Sequence, residues 1–389
     1  VTKSPLLITE SKPAPSSELS ERPFFATAAK GTEGALRDEL RELRLPKVRA
    51  DRGGVHFGGE LAHAMRVCLR SRIALRVLWR IAEFEAPDGD ALYEGAKSVD
   101  WSRWLDARRT LAVAATVKHG KLRHSGYVAQ RVKDAVVDQL RERDGLRPDV
   151  ERHDPDVRIV ARLARDQAQL FVDLAGASLS RRGYRSAGGE APLKEHLAAA
   201  ILRLVGYRPG TRLLDPMCGS GTFPIEAALW ADGRAVGANR GFAFTRWRCF
   251  DSSAEDSWQL ERQRARDFAQ PVETVIGGSD RDMRAVALAR ANAARAGVSV
   301  PFTQTEIARL DVPSPGTLVV MNPPYGVRLA REQRWISDFG RLLHRLRDST
   351  VVVLTPDLGL PRALGYRADS EHTLFNGDLE CRLFGWHGE

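Results

Sequence analysis

The stretch Leu213-Leu214-Asp215-Pro216-Met217-Cys218-Gly219-Ser220-Gly221-Thr222 constrains this chain more than any other. An apolar strand ends on a carboxylate, a turn carries two glycines, and an alanine-rich helix follows over Thr222–Trp230. Glycine lets backbone approach a ligand closely, and the first turn of a helix leaves N–H groups unpaired. Around this point strand and helix periods alternate. A helix over Leu193–Val205 and strands at Arg212–Asp215, Thr274–Gly277, Leu318–Met321 and Thr350–Leu354 are interleaved with helices at Met283–Ala296 and Trp335–Leu346. That alternation predicts a parallel, doubly wound sheet, in which ligands sit at the carboxyl ends of the strands.

A glycine turn alone can be mere geometry, and Asp215 is what points to a ligand. A carboxylate at this strand end would repel a pyrophosphate but can anchor a cationic amino group, which favours S-adenosylmethionine over a dinucleotide. Val275-Ile276-Gly277-Gly278-Ser279-Asp280 ends the next strand on a second carboxylate, placed to accept two ribose hydroxyls. The competing reading is that Asp280 or Asp282 only caps the following helix, which stops at Gly297. A third strand delivers Asn322-Pro323-Pro324-Tyr325 to the same edge.

Those four residues suit an exocyclic amine on a nucleobase. Such a nitrogen is a poor nucleophile because its lone pair is delocalised into the ring. The Asn322 side-chain oxygen and the Pro323 carbonyl can accept both amine hydrogens, two prolines fix the loop beforehand, and Tyr325 can stack on an extruded base. No metal and no covalent nucleophile is required.

The preceding half has a different character. Residues 1–22 mix Ser, Pro, Glu and Lys and read as a flexible tail. A strand at Phe24–Thr27, a helix at Glu33–Leu43 and a hairpin at Val48–Phe57 open a small α+β module. Leu61–Trp79 reads as a helix running into strand, Leu111–Val117 as a strand and Tyr127–Arg141 as a helix. Val157–Leu163 and Gln169–Leu174 pair around an Arg165-Asp166 turn. The expected division is a binding region over 23–177, a linker over 178–192 and a catalytic domain over 193–389. The segment Ala231–Ala269 is expected to be a structured insertion over the cofactor.

Charge adds a partner class. The 59 Lys+Arg against 50 Asp+Glu leave +9, which suits a polyanion. No acid occurs between Asp106 and Asp134, where Arg108, Arg109, Lys118, Lys121, Arg123, Arg131 and Lys133 accumulate; alone, such a run is usually a solvated face. Cys68, Cys218, Cys249 and Cys381 form no CxxC pair, and His63, His196 and His344 lack metal spacing. No apolar run is long enough to span a membrane, so a reduced cytoplasmic protein is expected.

These motifs resemble class I S-adenosylmethionine-dependent methyltransferases that modify nucleic-acid amines. More closely, the chain from Phe24 is similar to the bacterial 23S rRNA guanine-N2 methyltransferases that carry an N-terminal THUMP domain. The stretches that carry the likeness include Phe24-Phe25-Ala26-Thr27-Ala28, Gly53-Gly54-Val55, Pro155-Asp156-Val157-Arg158-Ile159, Arg181-Arg182-Gly183-Tyr184-Arg185, Ala191-Pro192-Leu193-Lys194-Glu195 and Leu374-Phe375-Asn376-Gly377.

The resemblance implies an α/β chain: a ferredoxin-like module plus THUMP domain gripping RNA, then a Rossmann-like methyltransferase domain acting on guanine N2. It implies cofactor contacts along Asp215, Pro216, Cys218, Gly219, Ser220, Gly221 and Thr222 and at Asp280, with Asn322, Pro323, Pro324 and Tyr325 at the target base. Similar enzymes hold the adenine amino group with an aspartate after the third strand; here Glu306 stands in Gln304-Thr305-Glu306, one methylene longer. Within a THUMP-like region the basic run becomes an RNA contact, with Arg181, Arg182 and Arg185 as a junction clamp. The expected partner is RNA, 23S rRNA or a large-subunit assembly intermediate, and the expected state a monomer. Some of these enzymes are fused to a second methyltransferase, which the sequence to Glu389 does not include. The alternatives are a tRNA guanine-N2 enzyme, a DNA adenine-N6 enzyme, or an RNA-binding assembly factor without catalysis.

Overall fold

The computed structural model describes residues 23–185, 193–323 and 329–388, and the side chains of all of these except 329–334. Two seven-stranded sheets organise the chain. The first contains β1 (Phe24–Thr27), β2 (Arg49–Asp51), β3 (Gly54–Phe57), β4 (Arg76–Glu85), β5 (Leu111–Lys118), β6 (Val157–Ala164) and β7 (Gln167–Asp173). Its order is β2-β3-β1-β4-β7-β6-β5, so one continuous sheet runs from the opening module into the region that follows. Helices α1 (Glu33–Glu42), α2 (Leu61–Arg70), α3 (Gly89–Lys97) and α4 (Ser125–Asp144) supply apolar side chains to its core. In β6 the residues from Val157 to Leu163 alternate between buried and half-buried, as expected of a strand with one face on that core.

The second sheet contains β8 (Leu213–Asp215), β9 (Ile276–Asp280), β10 (Phe302–Gln304), β11 (Leu318–Met321), β12 (Thr350–Thr355), β13 (Ser370–Asn376) and β14 (Leu379–Trp386). The order is β10-β9-β8-β11-β12-β14-β13, parallel through β12 and closed by the antiparallel β13–β14 hairpin. Its helices are α5 (Glu195–Leu204), α6 (Thr222–Ala231), α7 (Ser252–Asp267), α8 (Met283–Ala296), α9 (Leu329–Arg345) and α10 (Leu360–Leu364). Strand β11 is buried throughout, and Val319, Val320 and Met321 have no exposed surface, because apolar layers lie on both sides of it.

The expected elements occur with two informative differences. Strand β9 runs on to Asp280, beyond the expected end at Gly277. Gly278 continues the strand because its neighbour leaves no room for a side chain: a Cβ there would lie 2.7 Å from the Phe302 ring. The other concerns the expected insertion over the cofactor, which is a correction. This segment joins the first sheet's core: Phe242, Phe244, Trp247 and Trp258 pack there, the Arg248 N–H donates to the Trp104 carbonyl (3.1 Å), and the Trp247 ring lies 6.4 Å from that of Trp79. Its helix α7 contacts α2, where Arg66 makes two 2.8 Å hydrogen bonds to Glu261.

Candidate active site

The chain reverses direction across the second sheet between β8 and β11: from β8 it builds outward to β9 and β10, then returns to place β11 on the other side of β8. Such a switch point leaves a crevice at the strands' carboxyl ends. Register sets what lines it. Asp215 is level with Gly278, so Asp280 projects two residues further, and Gln304 pairs with Asp280, so Glu306 projects two further again. Val319 pairs with Leu214, so Asn322 reaches the rim from β11.

The glycine turn is held from three sides. The Met217 N–H donates to Asp215 Oδ1 (3.0 Å), the Gly219 N–H to Asp280 Oδ2 (2.9 Å), and the Gly221 N–H to the Cys218 carbonyl (2.8 Å). Gly219 and Gly221 have φ of 51° and 82°, the left-handed region that favours glycine. A Cβ on Gly221 would also sit 3.0 Å from Ala289 Cβ, whereas one on Gly219 would meet nothing within 4 Å. Gly221 is thus needed for packing, and Gly219 faces open space that a ligand can enter. Cys218 is buried within the turn, and burial pushes its thiol pKa up, which fits a packing role.

The two carboxylates differ. Asp215 is 2 % exposed, and burial drives its pKa well above the ordinary carboxylate value; the Met217 hydrogen bond opposes that and Asp280 adds to it. Asp280 is partly exposed and does not cap α8. Asp282 does, accepting from the Arg284 N–H (2.9 Å), while Asp280 Oδ1 accepts from Asp282 N–H (2.9 Å). Each Asp280 oxygen therefore carries one backbone bond and keeps lone-pair capacity facing the crevice. Glu306 is exposed. Asn322 Oδ1 is buried and has no hydrogen-bond partner among the described residues, the position of an acceptor waiting for a donor. Pro323 is buried beside it; Pro324 and Tyr325 lie outside the described residues.

The basic residues sort into two groups. Arg108, Lys118, Lys121 and Arg123 are exposed, and His119 to Arg123 line a concavity with Asp166. Arg109 is tied to Asp106 and to the Arg246 carbonyl, Arg131 to Asp90 and the Gly89 carbonyl, and Lys133 to Asp134. At the junction the expected RNA clamp is corrected. The Arg182 side chain is 3 % exposed, donates to the Leu179 and Arg72 carbonyls and pairs with Glu226. Arg185 donates to Thr222 Oγ1 (2.8 Å) and the Leu193 carbonyl (2.7 Å). These arginines face inward because the junction is an interior surface, and Arg181 alone of the three is exposed. Sequence reading also missed Asn292, fully buried and donating to the Ser220 carbonyl (2.9 Å). The available signal was a lone amide on the buried side of an alanine-rich helix.

Three family descriptions match in chain order: an RlmL ferredoxin-like domain over 23–78, a THUMP domain over 86–173, and an RMKL-like methyltransferase domain over 182–384. The chain belongs to the RMKL-like methyltransferase family. Among solved structures, a protein described as a methyltransferase and complexed with SAH superposes with a TM-score of 0.85 at 30 % identity, covering 95 % of this chain and 99 % of the other. A Listeria monocytogenes protein described as an N6-adenine-specific DNA methylase gives 0.84 at 30 % identity, covering 95 % and 97 %. The ribosomal RNA large subunit methyltransferase K/L of Syntrophotalea carbinolica is 44 % identical over 379 residues, 93 % of this chain and 53 % of that protein. The chain spans about half the length of the curated relatives it matches.

Proposed function

We propose that this chain transfers a methyl group from S-adenosylmethionine to the exocyclic N2 amine of a guanine in 23S rRNA. The carrying observation is the buried Asn322 Oδ1, without a hydrogen-bond partner among the described residues, at the switch point and on the rim that Asp215 and Asp280 also line. The donor set suits the cofactor: a buried carboxylate for a cationic amino group, a partly exposed one for two ribose hydroxyls, open space at Gly219, and Glu306 beyond β10 for the adenine amine. When bound, S-adenosylmethionine supplies an electrophilic methyl group on a sulfonium.

The rest of the chemistry is the protein's. Asn322 Oδ1 and the Pro323 carbonyl accept the amine hydrogens, which turns the nitrogen lone pair out of conjugation with the ring and toward the methyl. Pro323 fixes its own φ, so the acceptors are placed before the base arrives. Tyr325 stacks on the flipped guanine. The proton lost from the methylated nitrogen passes to solvent, and no side chain has to be a strong base. The exposed Lys118, Lys121 and Arg123 hold the RNA backbone.

Incubation with labelled S-adenosylmethionine and separate pools of undermethylated rRNA, tRNA and DNA, followed by nucleoside identification, tests this reading. N2-methylguanosine from 23S rRNA is expected; label in DNA alone, or in tRNA alone, overturns it. Asn322→Ala should lower kcat by at least about 100-fold with SAH affinity kept within about twofold. Full activity in that variant would remove Asn322 from the mechanism.

A further inference from the structure

We propose that Asn292, held by Arg295 and Tyr184, is a positioning residue for the methyl donor: it locks the peptide between Ser220 and Gly221 in the orientation the cofactor requires. This rests on reading the glycine turn as the methyl-donor site.

The Ser220–Gly221 peptide can flip unless it is held, because Gly221 has a positive φ and glycine occupies both signs readily. Both of its polar atoms are tied. The Gly221 N–H donates to the Cys218 carbonyl (2.8 Å), and the Ser220 carbonyl accepts from Asn292 Nδ2 (2.9 Å). Asn292 has no exposed surface, so water cannot replace it as donor. Its own orientation is fixed because Oδ1 accepts from an Arg295 Nη2 (2.6 Å), which leaves Nδ2 to face the turn.

Arg295 is anchored in turn. Its Nε donates to the Tyr184 carbonyl (2.7 Å), and the buried Tyr184 hydroxyl donates to Glu226 Oε1 (3.1 Å) on α6. One residue further, Arg185 donates to Thr222 Oγ1 (2.8 Å), at the first residue of the same helix. Segment 182–185 thus reaches the cofactor turn by two routes, through Arg185 directly and through Tyr184, Arg295 and Asn292. Its Arg182 donates to the Arg72 carbonyl in the preceding half of the chain, so the turn is referenced to both sheets.

Asn292→Asp tests the idea. It conserves volume and the contact with Arg295 but cannot donate to the Ser220 carbonyl. Titration of the full chain with SAH, by calorimetry, should show Kd weakened at least tenfold, the donor KM rising by the same factor, and the ligand-free melting temperature within a few degrees of wild type. Asn292→Ala, which removes the amide without adding charge, should weaken SAH to a similar extent. Unchanged SAH affinity in both variants, with tight binding by wild type, overturns the positioning role. Failure of wild type to bind SAH overturns the reading of the turn itself, and the two failures are told apart by that measurement. Loss of SAH affinity only in proportion to a lowered melting temperature would make Asn292 a packing residue and also overturn the proposal.

Discussion

A carboxylate enclosed as Asp215 is costs free energy to ionise unless a cation joins it, and that cost is visible as a raised pKa. The sign of the pH effect follows. With the folded, ligand-free value above the ordinary 3.8, the folded chain keeps a proton that the unfolded chain has released. The group's contribution to stability is full below the unfolded value and is lost as pH rises through the folded one. Cofactor binding runs the other way, because an ammonium partner favours the carboxylate and expels that proton. SAH affinity should therefore weaken as pH falls through the folded value, by up to about tenfold per pH unit, with proton release on binding. Calorimetry in two buffers of different ionisation enthalpy reads the proton directly. Asp215→Asn should bind more weakly and show a flat profile; an unaltered pH slope in that variant would place the titrating group elsewhere. Asp215 was legible in the sequence because a carboxylate on an apolar strand end has few other uses. The capping reading of Asp280 could be settled only in three dimensions, since both Asp280 and Asp282 stand where a cap can stand and only the backbone decides between them.

At the scale of elements, strand and helix periods announce which face of an element is apolar, and that sufficed for the strands of the first sheet and for β8, β9, β11 and β12 of the second, but not for the short β10 or the closing β13–β14 hairpin. They do not say which surface the face meets. Trp247 and Trp258 therefore signalled burial without naming the partner, and α7 lies against α2 instead of the glycine turn. The same limit misplaced Arg182 and Arg185: a cluster of arginines at a junction reads as a basic patch until the junction proves to be interior. The α2–α7 contact makes a definite prediction. Glu261 is 1 % exposed and holds Arg66 through both oxygens, with Arg264 as a third contact. Removing one partner leaves a guanidinium without its counter-ion, which costs about 3–5 kcal/mol for a buried pair and less here because Arg66 is partly solvated. Glu261→Ala should lower stability by about 2–3 kcal/mol in denaturant titration, and Glu261→Ala with Arg66→Leu should recover part of the loss. Equal stability of the single variant and wild type would show that α7 is held by its apolar contacts, Trp258 and Ala265 among them, without help from the ion pair.

For the whole molecule, a charge of +9 is too blunt to locate a binding surface, because many of its arginines are spent internally. Arg66, Arg72, Arg182 and Arg185 bond to carbonyls or carboxylates at contacts within the chain, so their charge is structural. Lys118, Lys121 and Arg123 are different. They project from the end of β5 and the loop after it, at the edge of the first sheet, and no acid pairs with their side chains among the described residues. Charges of this kind release counterions when they meet phosphate, so their contribution can be counted from salt dependence. Replacing all three by alanine should weaken binding of a 23S rRNA transcript and lower the slope of log K against log salt concentration by about 2–3. Binding should weaken about equally for unrelated RNA sequences, since phosphate contacts position RNA without reading bases. SAH affinity should be unaffected, because these residues lie on the first sheet and the glycine turn on the second. An unchanged salt slope would place the RNA path on another face of the molecule, and a loss confined to one RNA sequence would mean that this loop reads bases.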